Sequence, residues 1–112
     1  MQPLAFVDLE TTGTIASLDR ITEIGIILVD GSEVQEWSCL INPETRISTF
    51  IENLTGITNE MVANAPTFAQ IAHQIFHMLE GRLFIAHNAR FDYSFLKQSF
   101  RREGYDFRAT TI

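Results

Sequence analysis

Apolar residues fall into two rhythms along this chain. Leu4-Ala5-Phe6-Val7 and Ile21-Thr22-Glu23-Ile24-Gly25-Ile26-Ile27-Leu28-Val29 are runs rich in residues that favour strands. The tight-turn dipeptide Asp30-Gly31 leads into a third strand near 34–41, so the opening segment reads as an antiparallel hairpin beside a first strand over 4–9. Asn42-Pro43 ends the third strand, and a looser stretch follows with short helical pieces near 47–53 and 58–63. Ala65-Pro66-Thr67 opens the clearest helix, where Ile71, Ala72, Ile75 and Leu79 lie within about 60° of Phe68 at 100° per residue. Gly81 stops it. Leu83-Phe84-Ile85-Ala86 is a continuous apolar run, as expected of a central strand buried on both faces. A second amphipathic helix carries Phe91, Phe95, Leu96 and Phe100, with Asn88 as its expected N-cap and Gly104 at its end. Phe107 to Ile112 reads as the opening of another strand. Strands alternating with helices after an initial hairpin predict an α/β fold with a mixed sheet.

Composition narrows the class. At 112 residues, 46% apolar and 20% charged, the chain is expected to fold as one domain around one core. Eight basic against 14 acidic residues give a net charge of −6, which counts against tight non-specific duplex binding but not against an enzyme holding one strand end. Arg90, Lys97, Arg101, Arg102 and Arg108 crowd the last quarter, where a solvated helix face is preferred over a phosphate-facing patch. The start has no secretory pattern and no run approaches the roughly 20 apolar residues of a bilayer span, so the cytoplasm is the expected location, with no membrane partner. Cys39, the single cysteine, is expected as a buried thiol. His73 and His77 have the spacing of a metal-binding pair but point away from the apolar stripe with no third ligand in the same turn, which favours an ordinary surface role.

Chemistry concentrates where the first strand ends, in Asp8-Leu9-Glu10-Thr11-Thr12-Gly13. The period of two sends Asp8 and Glu10 to one face, and two carboxylates sharing a small space repel unless a cation sits between them. Asp92, in the first turn of the second helix, can approach them from a neighbouring strand end. Oxygen-only ligands favour Mg²⁺ or Mn²⁺, and two such ions about 4 Å apart suit phosphodiester hydrolysis. Spacing alone leaves equal room for a plainer picture, in which Asp8 and Glu10 are strand-end residues, Thr11-Thr12-Gly13 is a turn and Asp92 complements the helix dipole.

Phe6-Val7-Asp8-Leu9-Glu10-Thr11-Thr12-Gly13 resembles the first motif of the DEDD superfamily of 3′-to-5′ exonucleases, and Leu83 to Asp92 with Tyr93-Ser94-Phe95-Leu96 resembles the second. Leu54-Thr55-Gly56-Ile57-Thr58, with Met61-Val62 and Ala65-Pro66, is similar to the branch that includes the proofreading epsilon subunit of bacterial DNA polymerase III. The resemblance implies a ribonuclease H-like fold, with an initial antiparallel three-strand unit and flanking helices, and hydrolysis of nucleotides from a 3′ end. By position it makes Asp8, Glu10 and Asp92 the metal ligands and catalytic acids. It also assigns Leu9, Thr11 and Thr12 to the terminal nucleotide, Asn88 and Phe91 to the next one, and Thr55 to a weaker contact. The implied partners are a single-stranded DNA 3′ end, with RNA as the alternative polymer, and a polymerase subunit or a fused nuclease module.

Members of that branch carry a third motif, a His followed five residues later by Asp. His87 and Asp92 have this spacing, but their flanks are those of the second motif, and one Asp would have to serve two motifs. The chain is therefore expected to be incomplete at its C-terminus, over 1–112, and weak or inactive alone, since losing a general base typically costs about 10²- to 10⁴-fold. A non-catalytic module binding nucleic acid or a polymerase is the reading from another class.

Overall fold

The computed structural model describes residues 1–111. Its elements run β1 (Leu4–Thr11), β2 (Ile21–Asp30), β3 (Glu33–Leu40), α1 (Thr49–Thr55), α2 (Asn59–Val62), α3 (Phe68–Leu79), β4 (Leu83–Ile85) and α4 (Ala89–Arg102). The sheet order is β3-β2-β1-β4. β1 pairs antiparallel with β2 and parallel with β4, while β2 and β3 form the hairpin. Gly31 and Ser32 alone connect β2 to β3, and Gly31 takes φ 63°, a left-handed conformation that a side chain would resist. Asp30 is the last residue of β2, not part of the turn. It accepts both Arg82 Nη atoms, at 3.0 and 3.1 Å, which ties the hairpin to the entry of β4.

Alternation decides which face of the sheet is covered. Ala5, Val7 and Leu9 of β1 and Ile24, Ile26 and Leu28 of β2 are buried, together with Ala72, Ile75 and Leu79 of α3 and Phe95, Leu96 and Phe100 of α4. Phe100 centres an aromatic cluster, its ring centroid 5.1 Å from Phe68, 5.0 Å from Phe107 and 5.5 Å from Phe76. α3 opens on a capping box between Thr67 and Gln70. α1 starts at the Ser48 cap and stops at Gly56.

Four expectations need correction. β4 is the edge strand of the four-stranded sheet rather than a central one; beyond it Phe84 N–H donates to the Thr110 carbonyl at 2.8 Å and Phe84 makes a single parallel bridge to Thr111, and the strand is not buried on both faces. Phe84 is buried on the helix side, whereas Leu83 and Ile85 are half-buried on a face with no helix over it. The strand expected over 107–112 reduces to that single bridge among the described residues, and Ile112 lies outside them. Cys39 is half-buried, because β3 is an edge strand; burial still pushes its thiol up from the ordinary value. Finally, the short helices start at 49 and 59, two residues and one residue later than expected, where Ser48 and Thr58 supply caps, and they end at 55 and 62. No helix among the described residues is long and apolar enough to cross a membrane.

Candidate active site

β1 and α4 carry the three acids. Asp8 stands opposite Gly25 and Glu10 opposite Glu23, just before a register shift between Glu10 and Thr11. A shift at that point re-aims the strand end. Gly25 leaves the sheet surface beside Asp8 bare of any side chain. Asp92 enters from α4, where its N–H closes the first turn on the Asn88 carbonyl at 3.0 Å. Asn88 occupies the N-cap, yet its side chain makes no capping bond, so the amide is left over for other partners.

The electrostatics show that the three carboxylates share a neighbourhood. Asp92 is 5% exposed, and its carboxyl is pushed up from 3.8 to about 6 by burial first, then by Asp8 and Glu10, with His87 opposing. Glu10 is also held above the usual carboxylate range, by burial, Asp8 and Glu23 in that order. Among the described residues, no lysine, arginine or hydrogen-bond donor answers any of the three carboxylates. Such a set of oxygen donors with unbalanced charge fits a hard divalent cation. They are crowded without being a finished cage, since no group of three or more His, Cys, Asp or Glu among the described residues already stands in ion-holding geometry.

Beside Glu10 lies a cavity of about 200 Å³. Leu9, Thr11 and Gly13 form one wall, Ile51, Leu54 and Thr55 of α1 another, and Phe91 closes it. Four of the residues assigned to nucleotide binding, Leu9, Thr11, Thr55 and Phe91, are thus brought together, while Thr12 and Asn88 do not line the cavity. The hydroxyls are already engaged: Thr11 donates to the Gly13 carbonyl, and Thr55 donates to the Ile51 carbonyl at 2.9 Å. Thr12 is spent on the following loop, accepting from Arg20 N–H at 3.0 Å and donating to Asp19 at 3.4 Å.

Sequence reasoning gave no site role to four residues. Glu23 sits across from Glu10 and adds a fourth negative charge; the cross-strand register, invisible before pairing, puts it there. His87 adds an imidazole close enough to Asp92 to pull its carboxyl value down. Leu54, 69% exposed, lines the cavity, and Phe50, 73% exposed, precedes it on α1 at i, i+4 spacing. An exposed aromatic on a short helix was the available signal.

Comparison with known proteins gives this geometry its context. The exonuclease family model RNase_T matches residues 5–109. The 3′-5′ exonuclease DinG of Bacillus subtilis (strain 168) is 38% identical over 106 residues, which is 93% of this chain and 11% of that protein. A product-bound exonuclease I superposes with a TM-score of 0.87 at 22% identity, over 100% of this chain and 30% of that one. E. coli exonuclease I in complex with a dT13 oligonucleotide gives 0.83 at 24% identity, over 95% and 25%. The chain therefore spans about a tenth of the curated relative it matches, 11%, and less than a third of the solved chains. At such identities the solved structures establish the fold, which is ribonuclease H-like α/β. With the family model covering nearly all of it, the chain belongs to the RNase_T exonuclease family.

Proposed function

We propose that this unit is the nuclease part of a metal-dependent 3′-to-5′ exonuclease that removes nucleotides from the end of single-stranded DNA. The observation that carries the reading is the crowding of Asp8, Glu10 and Asp92, unanswered by any protein cation among the described residues, beside a cavity walled by Leu9, Ile51, Leu54 and Phe91. Those three acids would hold Mg²⁺ or Mn²⁺, which when bound supplies positive charge at the scissile phosphate. Asp92, buried and closest to losing its charge, sets the pH at which the site becomes fully anionic. The apolar walls take a base that is not stacked in a duplex, and Phe50 with Leu54 offers stacking surface for the bases behind it. A net charge of −6 leaves few cations to neutralise a long duplex, which supports recognition of a strand end.

DNA as the polymer, and a proofreading or repair setting beside a polymerase or a fused module, rest on the epsilon-like segment Leu54–Thr58. Similarity to DinG supports the 3′-to-5′ direction, because that relative is named a 3′-5′ exonuclease.

The test is a single-turnover assay with the protein in excess over end-labelled single strands. Mononucleotides should leave a 3′-labelled DNA strand slowly in Mg²⁺ or Mn²⁺, at the low rate expected of a unit without its general base, and Glu10→Ala should abolish that release. Release from a 5′ label first, cleavage inside the strand, or equal rates with Glu10→Ala would overturn the reading. Faster trimming of the matching RNA would move the substrate assignment to RNA.

A further inference from the structure

The face of α3 away from the sheet carries two exposed histidines whose rings already meet. His73 and His77 have ring centroids 4.4 Å apart, and Glu80, three residues on, lies with Oε1 at 3.0 Å from His77 Nδ1. The carboxylate is the group that sequence spacing did not supply. It accepts from Nδ1–H, which fixes the tautomer of His77 and leaves Nε2 as a lone-pair donor. A carboxylate behind an imidazole is also the usual outer support of a metal-bound histidine.

The separation can be compared with what coordination requires. With Zn–N at about 2.1 Å and the ring centre about 1.1 Å further on, each centroid would stand about 3.2 Å from an ion. Two rings at right angles about that ion would then have centroids about 4.5 Å apart, and at the tetrahedral angle about 5.2 Å. The observed 4.4 Å falls beside the first value and under about 1 Å short of the second, well within what exposed side chains can adjust. The two rings meet edge to face with 76° between their planes, and the ion pair with Glu80 holds His77 in that position.

We propose that His73 and His77 form a two-imidazole site for a borderline divalent transition metal, Zn²⁺ in the first instance, with Glu80 orienting His77 and water filling the remaining positions. Its nitrogen donors distinguish it from the all-oxygen acid cluster on the sheet, and it stands whether or not the nuclease reading holds. A helix bearing such a clip is fixed across about one turn near its C-terminal end, between His73 and His77.

The experiment is a Zn²⁺ titration of the whole chain followed through the imidazole ¹⁵N resonances, with millimolar Mg²⁺ present to occupy the acid cluster. The His73 and His77 resonances should shift together along one micromolar saturation curve, leaving His87 unmoved. His73→Ala and His77→Ala should each weaken binding at least tenfold, and Glu80→Gln about tenfold with both imidazoles still responding. All three side chains are exposed, so circular dichroism should show an unchanged fold. No coupled shift up to millimolar Zn²⁺, or wild-type binding by either alanine variant, would overturn the site. An unaffected Glu80→Gln would remove Glu80 from it.

Discussion

Asp92 shows how a single buried carboxylate can cost stability. Its carboxyl is pushed up from 3.8 to about 6, so the folded protein holds the proton more tightly than the unfolded chain does. Stability from this group is fully present below about pH 4 and is lost as pH rises toward 6, at about 1.4 kcal/mol per pKa unit. The total penalty at neutral pH is on the order of 3 kcal/mol. Asp92→Asn should therefore raise the melting temperature at pH 7.5 in chelator by about 5 °C or more, with the gain shrinking to nothing near pH 4. A variant that melts below wild type at pH 7.5, measured by calorimetry across that range, would contradict the burial argument. Gly13 makes the complementary case, where space rather than backbone angle demands glycine. A Cβ there would meet the Asp19 carboxylate, with Cγ at 2.6 Å, and that carboxylate accepts Ile15 N–H at 2.9 Å and the Thr12 hydroxyl at 3.4 Å. Gly13→Ala should release Asp19 from both bonds, costing about 1–3 kcal/mol in urea unfolding and raising proteolysis in the loop between β1 and β2.

At the scale of elements, some of the architecture was legible in the sequence and some could not be. The hairpin, α3 and α4 were legible because a β-branched run bounded by Gly31 and two stripes of apolar residues at helical spacing leave little choice. Leu83-Phe84-Ile85 misled because a continuous apolar run shows neither where in the sheet a strand lies nor whether both of its faces are covered. What covers a face is decided by other elements, and here α3 and α4 pack on one side only. The acids on β1 followed from period-two alternation, whereas Glu23 needed a register that only the folded sheet defines. The hydroxyls of Thr11, Thr12 and Thr55 illustrate a further limit. The family resemblance assigned them to a substrate, but nearby backbone groups compete for the same atoms.

For the whole molecule, the sheet divides the protein into a packed side and an open one. The open side carries Phe6 and Ile27, exposed by 40% and 37%, which line a hollow of about 580 Å³ that runs up to Asp8 and His87. Apolar surface therefore leads directly to the acids, and the second cavity, beside Glu10, meets the strand end from the other flank. The fold thus concentrates negative charge at the meeting point of two hollows in a molecule whose net charge is already −6. A divalent cation is the species that this arrangement most lacks. The most direct check is thermal melting during a Mn²⁺ titration at pH 7.5, with Ca²⁺ and Mg²⁺ alongside, for wild type, Asp8→Ala and Asp92→Asn. Wild type should gain several degrees by millimolar Mn²⁺, as expected for a ligand that binds only the folded state, and both variants should stay flat. A wild-type melting temperature indifferent to millimolar metal, or an equal gain in Asp8→Ala, would contradict the claim that Asp8, Glu10 and Asp92 form a cation site.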